Sequence, residues 1–228
     1  MAKRRRSPKN QEDILVDIAD VRENAQSFFE KNQMKVIGIA GLLLLVIGGY
    51  LAYTMFYQQP REKTAMSQMF KAEYQFMQDS FALALESPGA EYPGLLDIIE
   101  DYSGTKAANL AKYYAGISYL NLNRFEDALT YLQGYKAAGN VTPITKYGAI
   151  GDAQSELNDL NAALSSYQKA ASGPSNDQLT PYYLQKVGLL ANKLGDKSAA
   201  TSAFNRITED FPKSEEAMDA SKYLALLK

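Results

Sequence analysis

The sequence predicts an all-α fold, with one membrane-crossing helix near the N-terminus followed by a row of stacked helical hairpins. Three observations predict it. Residues 36–57, VIGIAGLLLLVIGGYLAYTMFY, contain no charged side chain. Residues 58–228 show helical spacing of apolar positions broken by Gly, Pro and Asn, without strand-like alternation. Within them a Gly precedes an Ala by twelve residues three times: Gly116 and Ala128, Gly151 and Ala163, Gly188 and Ala200.

Length decides the reading of residues 36–57. At ~1.5 Å per residue they span ~33 Å, enough for a ~30 Å hydrocarbon layer. A core helix of a globular domain would carry a polar face, and this stretch has none. A secretory signal would be shorter and end in a small-residue cleavage pattern. Here 35 residues lead in and no clean A-x-A follows, so an uncleaved signal-anchor is expected. Tyr50, Tyr53, Phe56 and Tyr57 gather toward one end, where amphipathic rings suit the membrane–water interface. Gly48 and Ala52 form a small-xxx-small pair that would admit a second helix, although Gly is common in membrane helices in general.

Residues 1–11 read as a disordered basic tail, with Lys3, Arg4, Arg5 and Arg6 as a topology signal retained in the cytoplasm. Residues 12–35 read as an amphipathic helix, since Ile14, Ile18, Val21, Ala25 and Phe28 recur at steps of four and three. Its polar face is acidic, so a helical partner or a homodimer suits it better than anionic lipid. Eight Lys/Arg precede the span, and only Arg61, Lys63 and Lys71 follow closely. That asymmetry predicts the N-terminus in the cytoplasm and residues 58–228 on the far side. The inverted topology is the alternative.

Composition removes whole classes of chemistry. There is no Cys and no His, so thiolate metal sites, thiol nucleophiles, lipoprotein-type anchors and imidazole catalysis lose their usual residues. Residues 58–228 hold sixteen basic and twenty acidic side chains, which argues against nucleic acid as the main partner. No phosphate-binding glycine loop appears, and the carboxylates are scattered along helices. A non-enzymatic protein without cofactor or metal is expected.

The three Gly–Ala units are offset by 35 and 37 residues. Phe204 stands four residues after Ala200 and Pro212 eight after that, Tyr167 and Ala170 hold the matching places in the middle unit, and Tyr119 lies three after Gly116. This pattern resembles the tetratricopeptide repeat (TPR), a helix–turn–helix of about 34 residues that stacks into an α-solenoid. The opening Trp of that motif is absent, and Gln154 replaces an aromatic. Gly and Ala would bring the two helices of a unit close, and the aromatic after the Ala would fill the space under the next unit. Three units are expected over 107–213. A degenerate first unit and linking helix are expected over 58–106, with residues 62–85 as its first helix, Asp79 in the Gly place and Glu91 in the Ala place. A capping helix is expected over 214–228.

A stacked array offers a concave face. Counting helically from each Gly places Tyr113, Ile117, Leu120 and Asn121 on it in the first of the three units, and Asp152, Ser155 and Glu156 in the second. Tyr182, Gln185, Leu189, Asn192 and Lys193 follow in the third. Such a mixed lining suits a peptide or extended segment, and each polar member alone also fits solvated helix surface. Some TPR proteins hold an acidic chaperone tail through a Lys/Asn clamp; Ile117, Asp152 and Glu156 stand at matching positions, so that clamp is not expected.

The order of basic tail, amphipathic helix, span and repeats adds a second resemblance. VRENAQSFFEKNQMKVIGIAGLLLLVIGGYLAY, with Phe28, Phe29 and Asn32 ahead of a Gly-rich span, and then REKTAMSQMFKAEYQFMQ, look like the start of a bacterial family. It is the ancillary single-pass subunit of the Sec translocon (YfgM-like). The resemblance implies an inner-membrane protein with a periplasmic TPR domain. It also implies, as partners, the translocon and a membrane-anchored periplasmic chaperone of the prolyl-isomerase type, in the handling of newly translocated envelope proteins. An anchored scaffold for another envelope machine, in division or secretion, is the alternative.

Overall fold

The computed structural model describes residues 11–86, 89 and 92–227, with the backbone alone for 11–25. The basic tail through residue 10 and Glu91 lie outside the described residues. All regular structure among the described residues is helical. The chain forms two compact units, divided between Gln59 and Pro60.

The first unit is one long helix, α1 (Gln11–Tyr53), followed by a π-helical turn, Thr54–Gln58. The expected separate helices over 12–35 and 36–57 are therefore one helix with a kink. The kink is at Asn32 (φ −120°, ψ 16°), whose side-chain amide donates to the Phe28 carbonyl at 3.0 Å. That local bond competes with the helical ladder, but the helix resumes after it and runs on to Tyr53. At the other end the Thr54 hydroxyl donates to the Leu51 carbonyl at 2.9 Å beside the π turn. This helical run contains a stretch long and apolar enough to cross a membrane, and none of it is buried.

The second unit contains α2 (Gln59–Met77), α3 (Phe81–Glu86), α4 (Leu95–Asp101), α5 (Lys106–Asn121) and α6 (Phe125–Gly134). It continues with α7 (Thr142–Glu156), α8 (Leu160–Ala171), α9 (Leu179–Lys193), α10 (Lys197–Asp210) and α11 (Glu216–Leu227). Helices α5, α7 and α9 each pack on the helix that follows, and α6, α8 and α10 on the first helix of the next pair. α5 also touches α7, α7 touches α9 and α9 touches α11, whereas no such contact joins α6 to α8 or α8 to α10 among the described residues. The second helices thus splay apart, and the α5–α7–α9 layer is the inner one.

The three hairpin turns share one geometry. Asn123 (φ 59°), Asn158 (φ 61°) and Gly195 (φ 83°) each take the left-handed conformation. The next residue's N–H donates back to Tyr119, Gln154 or Ala191, each at 2.9 Å. Asn and Gly are the residues that adopt this conformation at least cost. Asp159 and Asp196 then cap the second helix, accepting from the Ala162 and Ala199 amides at 3.2 and 2.9 Å.

The same turn appears once more, between α2 and α3. Asp79 has φ 54°, and the Ser80 N–H donates to Gln75 at 2.9 Å. In the later hairpins the Gly lies seven residues before the left-handed residue; here that place belongs to Ala72. Ala84 follows twelve residues on, and both are fully buried. Phe81-x-x-Ala84-Leu85 repeats Phe125-x-x-Ala128-Leu129. This corrects the expected alignment: Asp79 is the turn residue, and the helix expected over 62–85 is broken at 78–80. After this turn α3 ends at Glu86, and α4 begins at Leu95. Glu62 of α2 accepts from the Lys106 and Ala107 amides at 2.6 and 2.9 Å, placing a carboxylate on the positive N-terminus of α5.

Close approach explains the glycines. A Cβ on Gly116 would fall 2.5 Å from Leu132, one on Gly151 2.6 Å from Tyr167, and one on Gly188 2.6 Å from Phe204. The large residue four after each Ala therefore fills the room left by its own unit's Gly. It also reaches the next unit as expected: Tyr167 stacks with Tyr183 (6.4 Å between centroids) and Phe204 with Tyr223 of α11 (5.1 Å). Phe204 is fully buried, worth about 2–3 kcal/mol of transfer free energy.

Candidate functional site

The inner layer carries the residues named from the helical count. On α5, Tyr113 is half-buried, with its ring 5.2 Å from that of Tyr135. Ile117 and Leu120 are half-buried against the core, and the exposed Asn121 amide turns back to the Ile117 carbonyl at 2.9 Å. On α7, Ser155 is half-buried and Glu156 exposed. On α9, Tyr182 and Leu189 are exposed (41% and 39%), Gln185 is half-buried, and Asn192 and Lys193 are exposed. Gly48 and Ala52 lie on the uncovered surface of α1, and a Cβ on Gly48 would meet nothing within 4 Å.

Asp152 has a different setting from its neighbours. Its Oδ1 accepts from the Tyr167 hydroxyl at 2.7 Å and from Lys186 Nζ at 2.5 Å. The carboxylate of α7 is therefore held by both α8 and α9. Lys186 lies 5.1 Å from the Tyr167 ring centroid and 5.2 Å from that of Tyr182. Burial works to lower the Lys186 ammonium, but the bond and charge of Asp152, with Tyr182 assisting, raise it above its ordinary value. Burial, then the Asp152 contact, push the Tyr167 hydroxyl well up; burial and the nearby Asp152 charge do the same for Tyr183.

An equivalent contact recurs two hairpins earlier. The Tyr114 hydroxyl of α5 donates to Glu73 of α2 at 2.9 Å, while the Tyr114 ring stands 4.7 Å from Phe76. Burial, then this bond, push Tyr114 up to about 12. Glu73 and Asp152 each follow their unit's Ala or Gly by one residue, and Tyr114 and Lys186 each precede theirs by two. Between these pairs the same places hold Ile117 and Ala149, so the inner seam alternates polar, apolar and polar.

Tyr183 and Lys186 escape the helical count because they face α7, at Gly148 and Asp152. Gly148 is the sequence signal for them. It is a second Gly three residues before Gly151, and a Cβ there would strike the Tyr183 ring and hydroxyl.

The surface left open is mixed: Tyr182 and Leu189 stand beside Asn121, Asn192, Glu156 and Lys193. Tyr182 stands edge-on to Tyr183 at 5.0 Å and opens onto a cleft of about 520 Å³ shared with Leu179, Lys213, Glu215 and Glu216. A rigid aromatic on an ordered helix beside a wet, charged rim suits side chains of an extended polypeptide. Comparison of the chain with protein-family models, with curated proteins and with solved structures finds no match to any of them.

Proposed function

We propose that this protein is a non-enzymatic, membrane-anchored adaptor whose second unit is a tetratricopeptide-repeat α-solenoid. In this reading its inner face binds polypeptide segments. The observation that carries it is the hairpin turn repeated with one geometry, with a Gly beside it in the later units that a large side chain four residues after the Ala packs against. Such units bury their apolar faces only by stacking, and stacking creates the curved surface that repeat proteins use for binding. The helix over residues 36–57 supports the anchor, and Gly48 with Ala52 offers a face for a second helix in the bilayer.

The resemblance of residues 21–53 and 61–78 to the ancillary subunit of the Sec translocon supports the narrower role. The repeat unit then lies in the periplasm, the N-terminus in the cytoplasm, and the partners are the translocon and a membrane-anchored periplasmic chaperone. Its work is to assist newly translocated envelope proteins. Two measurements test this. Protease added to spheroplasts digests residues 58–228 if the topology is right and spares them if it is inverted. Purification of the full-length protein in mild detergent recovers translocon subunits; recovery of wall or division proteins in their place overturns the narrower role.

A further inference from the structure

The inner layer has an open end at α2. In the later hairpins, the residues two before and two after the Gly are covered. Tyr114 meets Glu73 and Lys186 meets Asp152 of a preceding unit, and Ser118, Ala149, Ala153 and Leu190 are buried. The same two places on α2 belong to Phe70 and Tyr74, which are 62% and 52% exposed. Met66 and Met77 extend that stripe and are also exposed. An array that ends in water ends in a polar face, and this one ends in Met, Phe and Tyr.

The charges beside the stripe indicate what covers it. The two carboxylates of α2, Glu62 and Glu73, are engaged by α5. Lys63, seven residues before Phe70, and Lys71, three before Tyr74, border the stripe and make no ion pair among the described residues. Lys71 rests only over the Tyr92 ring, at 5.6 Å. A second copy would bring the same lysines to the same face, without counter-charge. We propose that this face of α2 binds an amphipathic helix of a different protein, in the place a preceding unit's helix would take. The apolar stripe of that helix packs on Phe70 and Tyr74, and its carboxylates pair with Lys63 and Lys71. The proposal concerns another surface than the groove and stands or falls separately.

The test places the photo-crosslinking residue p-benzoylphenylalanine at position 70, or 74 as a second site, in the full-length protein in its own membrane. The adduct is mapped to the residue by mass spectrometry. The expected link is to a helix of another protein, with Asp or Glu within one turn of the linked residue. Lys63→Glu with Lys71→Glu lowers its yield by about tenfold, the size of two lost ion pairs, and crosslinks from position 189 in the groove are unchanged. If the reversed variant melts early, Lys63→Gln with Lys71→Gln decides in its place, with a smaller loss. A link to another copy of this chain, a link to lipid, no link, or a yield indifferent to these charges overturns the proposal.

Discussion

Lys186 on α9 and Asp152 on α7 form an ion pair at 2.5 Å, and the Tyr167 hydroxyl of α8 donates to the same carboxylate oxygen. Three helices from two hairpins meet on one carboxylate. Both side chains are about one-third exposed, so the pair ranks between a surface bridge and a buried one. Asp152→Ala leaves a half-buried ammonium and a buried phenol without their acceptor, and lowers stability by about 1–3 kcal/mol. The double variant Asp152→Ala with Lys186→Met loses less than the single one, since the orphaned charge is gone. Denaturant unfolding of the four species of this cycle, in detergent, measures the coupling.

Gly148→Ala is expected to destabilise by about 1–3 kcal/mol, because its methyl group meets the Tyr183 ring. Tyr183→Leu in the same chain recovers part of that loss. Gly134→Ala is the contrasting case. Its Cβ would sit 3.7 Å from the Lys112 side chain, an ordinary contact, and the change is neutral or stabilising by up to about 1 kcal/mol. Melting temperatures of the three variants order them.

The left-handed turn residues predict a third effect. Asn158→Ala costs about 1 kcal/mol, and Asn158→Gly costs nothing or stabilises slightly. The same Ala substitution at Gly195 costs a similar amount. Thermal unfolding followed by circular dichroism tests both positions.

Alkaline pH should loosen the array from its inner seam. Tyr114, held up to about 12 against an ordinary 10.0, favours the fold fully below 10. That contribution is lost as pH rises from 10 towards 12, because the unfolded chain ionises first. Tyr167, Tyr183 and Lys186 are raised too and add to the loss in the same direction. The melting temperature therefore falls above pH 10, and Tyr114→Phe makes the fall shallower.

Much of this architecture was legible in the sequence. Gly116, Gly151 and Gly188 mark places where a Cβ cannot fit, so their spacing to Ala reads directly as close helix pairs. The first hairpin was harder to see. Its Gly place holds Ala72, which carries no distinctive signal, and α3 after the turn is only six residues long, so Asp79 draws the alignment seven residues out of place. The groove candidates were found by counting around a helix, which locates a face but not its partners. Asp152 and Lys186 stand 34 residues apart, and only the stacking of α7 on α9 brings them together.

The central claim is that the inner layer, anchored at the membrane, receives polypeptide as it emerges. Crosslinking from position 189 to a secretory precursor arrested in the translocon tests it most directly. The account predicts an adduct from Leu189 and none from Asn205 on the exposed side of α10. No adduct from Leu189, or equal yields from the two positions, would contradict it.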